Sequence, residues 1–362
     1  MKRHRTTFDP TREEPFEVSR SQIESFLRCS ACYWMLRRKG IKFPGMPGFL
    51  LNTATDTLLK KDFDKYRELK QPHPFMERNG LGHLVPFQHE DFERWTKSLQ
   101  LGLRTLYEPA NLIVGGGLDD VWHDRETDEI FVVDYKSTAG RRNEEGTALE
   151  PITLNGVYKQ AYRRQMDIYQ WILRQNGFKV SNTGYFVYVN GDQHFEEGML
   201  DKDIDKANMK FEVQLLEYDG DDSWVGGAVE NLKACLESDD CPEHAAEGFG
   251  PKGDKQCEYA TLFDGMKENN LITRNNKELN EPSRDDDFYI LDLEFDMSRL
   301  TAPHNIKRIE WLRRGRCFKE IMSATSPYRD HPDPKKREPI ANLRWDIKEG
   351  RVIQATNNKV II

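Results

Sequence analysis

The chain has 362 residues and a formal net charge of −8, with 37% hydrophobic and 31% charged residues. That is a folded composition with enough length for a large core, and it excludes a disordered or low-complexity polymer. No apolar run approaches the roughly eighteen residues a membrane-spanning helix needs, and the basic opening MKRHRTTFDPTREEP has no apolar stretch behind it. A cytoplasmic protein with no membrane partner is therefore expected. The negative charge argues against a general nucleic-acid coat, so any contact with phosphate must run through a local basic stripe. Six cysteines in a chain this long are too sparse for a disulfide framework and read as buried thiols or metal ligands.

In chain order, residues 19–39 read as a helix, capped by Ser19 or Ser21, with Ile23, Phe26, Leu27, Ala31 and Trp34 near helical spacing. Residues 49–69 predict a second helix and 89–107 a third, with PHPFMERNGLGHLVP as the loop between them. The pattern then changes to strands: NLIVGGGLDDVWHD, a polar turn, and IFVVDYKS, rich in β-branched and aromatic residues. Residues 157–177 predict the clearest helix, ended by Gly177. TGYFVYVNGD follows as a strand closed by an Asn-Gly turn, and residues 235–262 look irregular. Beyond them FYILDLEFDM reads as a strand and NIKRIEWLRRGRCFKEIM as a basic helix. The order helix, hairpin, helix, strand indicates a mixed α/β or α+β fold. The expected division is an N-terminal tail at 1–16, a main domain at 17–262 and a C-terminal extension at 263–362.

The chemistry concentrates in the hairpin. Asp119 sits in GGGLDDVW and Asp134 at the C-terminal end of the next strand, and adjacent antiparallel strands can set two such carboxylates on one face. Lys136, two residues past Asp134, projects to the same side. A D-x-K tripeptide alone is more often a surface ion pair. Two carboxylates and an ammonium that converge instead suit phosphodiester hydrolysis. The carboxylates, with the Tyr135 backbone carbonyl, hold a hard divalent ion such as Mg²⁺ or Mn²⁺, and the lysine assists the attacking water.

These residues carry a resemblance. VGGGLDDVWHDRETDEIFVVDYKSTAG resembles the core of the PD-(D/E)XK nuclease superfamily, in the branch of the RecB and Cas4 nuclease domains, through Gly116, Asp119, Asp134, Tyr135 and Lys136. The branch's Q-x-x-x-Y is matched by Gln165 and Tyr169, and its opening S-x-S-x-I-x-x-F-x-x-C by Ser19, Ser21, Ile23, Phe26 and Cys29. The resemblance covers residues from about 19 to 190. It implies a restriction-endonuclease-like core, a central mixed sheet flanked by helices, with Gln165 and Tyr169 added to the catalytic set.

Two features depart from the branch. Asn52 stands where a metal-binding histidine is usual, and an amide oxygen is a weaker ligand than imidazole. Cas4-like relatives also hold an iron–sulfur cluster; Cys29, Cys241 and Cys257 fall near its positions, but their spacing disfavours one here. Arg141, Arg142, Lys159, Arg163 and Arg164 are the candidate phosphate contacts.

The function expected is a metal-dependent deoxyribonuclease, an exonuclease or DNA-end processor in repair, recombination or phage metabolism. Single- or double-stranded DNA is its substrate. No G-x-x-x-x-G-K-[ST] motif occurs, so a helicase or recombination motor would be a separate partner. The alternative is a nuclease fold kept as an inactive DNA-binding scaffold.

Overall fold

The computed structural model describes residues 7–38, 50–97, 102–140, 142–143, 148–194, 198–201, 204–250, 252–257 and 260. The strand and basic helix expected beyond residue 262, and Arg141, lie outside the described residues. Within the expected main domain the chain forms two compact units. The larger holds the described residues of 12–27 and 50–234, and the smaller those of 7–11, 28–38 and 235–260.

The larger unit is α+β, with two mixed sheets flanked by helices. In the first sheet, β1 (Phe16–Ser19) runs parallel to β4 (Leu112–Gly116), which pairs antiparallel with β3 (Leu103–Tyr107). The second has the order β2-β5-β6-β7-β8, from β2 (Leu84–Pro86), β5 (Asp120–Asp124), β6 (Glu129–Gly140), β7 (Thr183–Asp192) and β8 (Phe211–Asp219). Only β6 and β7 are parallel in it. A parallel pair needs a crossover, and α6 (Val157–Gln175) supplies it. Residues 117–119 carry the chain from one sheet to the other, and Asp119 rides on that link.

The helices begin with α1 (Arg20–Arg28) and α2 (Ser30–Arg38), the second belonging to the smaller unit. The predicted single helix over 19–39 is thus interrupted at Cys29. α3 (Leu50–Leu69) matches its predicted span and packs on β2 and β6. The expected loop that follows contains a short α4 (Pro74–Arg78) as well as β2. Among the described residues of the predicted third helix, only α5 (Phe92–Thr96) is helical. Gly102, at φ +60°, then turns the chain into β3, whose pairing with β4 overrides the helical spacing of its apolar residues.

α6 packs against β3, β4 and β6. Trp171 and Ile172 are buried in the core, as their positions suggest. It ends in a Schellman-type cap: the Phe178 N–H bonds the Leu173 carbonyl, with Gly177 at φ +86°. The Asn-Gly pair expected to turn the chain sits inside β7. Asn190 opposes Glu212 across the ladder, so β8 extends the sheet where a turn was expected. α7 (Val225–Glu237) follows; two glycines in its first turn hide it from a periodicity search.

Core packing on the α3 side of β6 is aromatic. Phe63 stacks on Trp122 and lies 5.8 Å from the Tyr135 ring, with Met76, Leu84 and Tyr185 around them. A buried polar cluster sits against this layer. Arg67 of α3 donates to Asp120 Oδ1 at 2.6 Å and to the Phe87 carbonyl at 2.6 Å, while the Tyr135 hydroxyl donates to Asp120 Oδ2 at 2.5 Å. The Val121 N–H also bonds Asp120 Oδ1. Removing the carboxylate leaves a buried guanidinium and a buried phenol without their acceptor. Asp120→Ala is expected to cost about 3–5 kcal/mol in urea unfolding. The exposed Asp62→Ala, which loses only a surface pair with Lys65, should cost under about 1 kcal/mol.

Candidate active site

The β5–β6 register pairs Asp120 with Val133, so continuing it one residue sets Asp119 opposite Asp134. Side chains alternate along β6: Tyr135 enters the aromatic core, while Asp134 and Lys136 project to the other face, where α6 supplies Gln165. Asp134 is 1% exposed. Its Oδ1 accepts a 2.7 Å hydrogen bond from Gln165 Nε2, and Oδ2 faces the Lys136 ammonium. That second oxygen takes no neutral donor among the described residues. Asp119 lies within hydrogen-bonding reach of Asp134. Its own oxygens are held by the Tyr135 N–H at 3.0 Å and by Lys60 Nζ at 3.1 Å.

Tyr169 fixes the link that carries Asp119. Its hydroxyl donates to the Gly117 carbonyl at 2.7 Å. Its ring lies so close to Gly116 that a Cβ there would come within 2.7 Å of Cε1. The glycine at the start of G-x-x-D is thus demanded by the tyrosine of Q-x-x-x-Y. Leu118, fully buried, ties the same link to the Trp95 carbonyl through its N–H.

Burial is the main influence on the Asp134 carboxyl and pushes it up to about 7; the Lys136 charge opposes this and the neighbouring Asp119 adds to it. For Lys136, burial favours loss of the proton, but the charges of Asp134 and Asp119 outweigh it and hold the ammonium above its ordinary value. Asp56 is raised by burial and by Asp119. The site therefore concentrates negative charge in a place with little water, a setting that binds a cation or keeps a proton.

The structure thus brings together Asp119, Asp134, Lys136 and Gln165, with Tyr169 supporting them. The Tyr135 backbone contributes its N–H to Asp119. Asn52 is exposed on α3. The α3 side chain that reaches Asp119 is instead Lys60, two turns further on, which also pairs with Asp56 at 3.0 Å. The basic candidates are largely engaged within the larger unit. Arg164 makes two bonds to Glu24, of 2.6 and 2.7 Å; Arg163 donates to the Leu154 carbonyl; Arg142 pairs with Asp192. Lys159 stays close to the site: it donates to the Tyr188 hydroxyl at 2.8 Å and lies over the Tyr162 ring, as does Lys136.

Two further residues enter that the motifs do not single out. Lys60 is one. The other is Arg20, which bonds the Tyr169 hydroxyl and adds positive charge beside Lys136. Its Nε is buried without a hydrogen-bond partner among the described residues. The regular alternation of Ser19 and Ser21 around it advertises a helix cap and hides the arginine.

The smaller unit holds a second constellation. Cys29, Cys32, His244 and Cys257 place their ligand atoms all within 4.8 Å of one another. Cys241, one of the three cysteines aligned with the cluster positions, is exposed and outside this group. Cys32 and His244 stand in its place. The Cys29-x-x-Cys32 spacing is visible in the sequence, whereas nothing local marks His244.

Compared with known proteins, the chain matches no family model and no curated protein. Among the described residues, no helix is long and apolar enough to cross a membrane.

The raised Asp134 carboxyl makes stability depend on pH. Without a metal, the folded chain keeps a proton that the unfolded chain releases above the ordinary value of 3.8. This contribution is complete below that value and is lost as pH rises towards about 7. Urea midpoints measured in EDTA should therefore show a loss over this window in the wild type that Asp134→Asn lacks. Parallel pH profiles for the two proteins would contradict a buried, protonated Asp134.

Proposed function

We propose that the chain is a metal-dependent nuclease that hydrolyses phosphodiester bonds in DNA, acting in the cytoplasm as an exonuclease or end-processing enzyme in repair, recombination or phage metabolism. The observation that carries this reading is the convergence of a buried Asp134 with the half-buried Asp119 and Lys136, each held by its own partner. The β5–β6 hairpin, the parallel β6–β7 pair and the α6 crossover support a restriction-endonuclease-like core.

A hard divalent ion, Mg²⁺ or Mn²⁺, fits the donor set. Two carboxylates share one cramped place, one of their oxygens has no neutral donor, and the neighbouring Tyr135 peptide offers another oxygen. Asp119 and Asp134 would hold it, and when bound it supplies Lewis-acid neutralisation of charge on the phosphate. The protein's own groups do the remainder. Gln165 fixes the Asp134 carboxylate, and Tyr169 fixes the link that presents Asp119. Lys136 directs an ammonium at the water or the phosphate oxygen, and Arg20 and Lys159 add positive charge for the backbone of the substrate. A helicase or recombination protein would bring DNA ends to such a domain.

A second reading has an observation of its own. Lys60 caps Asp119 and Lys136 caps Asp134, so each carboxylate is already paired with a lysine. A fold retained for DNA binding, with its metal site closed by lysines, would look the same. Cleavage separates the two. Labelled linear single- and double-stranded DNA incubated with Mg²⁺, Mn²⁺ or EDTA should be cut only with metal. Lys136→Ala and Asp134→Asn should each lose about a hundredfold or more of the rate. DNA binding without any cleavage, unchanged by metal, would favour the scaffold. In that case Lys60→Ala should be the variant that gains Mg²⁺ binding, read by calorimetry.

A further inference from the structure

We propose that Cys29, Cys32, His244 and Cys257 bind one Zn²⁺ ion as a closed structural site that organises the smaller unit. The site does not depend on the nuclease reading.

The spacing selects a single ion. Cys32 Sγ lies 3.4 Å from Cys257 Sγ and 3.6 Å from His244 Nδ1, and Cys29 Sγ lies 3.5 Å from the same nitrogen. A tetrahedral Zn²⁺, with Zn–S near 2.3 Å and Zn–N near 2.0 Å, sets its ligand atoms roughly 3.5–3.8 Å apart. A four-iron cubane holds each cysteine on a different iron and spreads the sulfurs to about 6 Å. With all four atoms inside 4.8 Å, this group is too tight for a cubane and matches one metal ion. Three sulfurs and one imidazole nitrogen are a soft, tetrahedral set of the kind zinc takes, and four protein ligands leave no open position for catalysis.

The local chain is shaped for such a site. Cys29 immediately precedes α2 and Cys32 lies in its first turn, where the helix N-terminus favours thiolates. The Ala245 N–H bonds the Cys29 sulfur, a partner of the kind that fixes a metal-bound thiolate, and Cys257 N–H bonds the Ala245 carbonyl. Between His244 and Cys257 the described residues include a β-bridge, Phe249 with Lys255, with Gly248, Gly250 and Gly253 all at positive φ. Among the described residues the apolar support is small: Ala31, Phe249 and Ala260, with Met35 and Ala245 alongside. A segment with so little regular structure and so modest a core is where metal ligation contributes most to folding.

Elemental analysis of the full-length protein tests this. One zinc per chain is expected, lost in Cys32→Ser and Cys257→Ser, and kept in Cys241→Ser and in Asp134→Asn. His244→Cys, which preserves a ligand, should also keep it. Because the serine variants can fail to fold, Co²⁺ is exchanged into the wild type: tetrahedral d–d bands with sulfur-to-cobalt charge transfer are expected. Iron with acid-labile sulfide in the purified protein would overturn the proposal. So would wild-type protein that takes up neither zinc nor cobalt, or zinc retained in full by a folded Cys257→Ser.

Discussion

The buried carboxylate of Asp120 is the contact on which the larger unit depends. It takes Arg67 from α3 and the Tyr135 hydroxyl from β6, and so ties a helix and two strands together through one group. A buried charge is tolerable only with such pairing. Its consequence reaches the site next door. With Asp120 and Tyr135 locked on the α3 face, strand geometry sends their neighbours Asp119, Asp134 and Lys136 the other way. The Asp119-Asp120 pair thus divides its labour, one carboxylate holding the fold and the other facing the site.

The same logic explains the packing of α6. Tyr169 needs Gly116 beneath its ring and the Gly117 carbonyl for its hydroxyl, and one turn earlier Gln165 reaches Asp134. The helix therefore reads both the link before β5 and the middle of β6, whose pairing with β7 runs on past Asp134, where the sequence suggests an end. A shift of the helix by one residue would break both contacts together. What it protects is a costly arrangement, two carboxylates in contact, each paired with a lysine.

The smaller unit relies on a different device. It lacks a sheet among its described residues and has a modest apolar cluster, yet it gathers three thiols and an imidazole from residues more than two hundred positions apart. The larger unit is held by sheet pairing and an aromatic core. The smaller is built round side chains whose natural bond is to a metal.

Residues within one element were legible from the sequence alone. The two-residue period puts Asp134 and Lys136 on one face of a strand, and the i, i+4 spacing puts Gln165 and Tyr169 on one face of a helix. The hairpin, the long helices α3 and α6 and the α+β class follow from periodicity and turn chemistry of the same local kind. Only the tertiary structure decided which elements meet. It turned 103–107 from helix to strand because β4 offered it a partner, and it ran β7 through an Asn-Gly pair because β8 lay alongside. It put Lys60 on Asp119 and left Asn52 exposed, and it gathered Cys32 and His244 with Cys29 and Cys257, leaving Cys241 outside. Backbone periodicity is a property of the chain at each point along it. Proximity between distant side chains is a property of the packed whole, set by the sum of many contacts that no single motif contains.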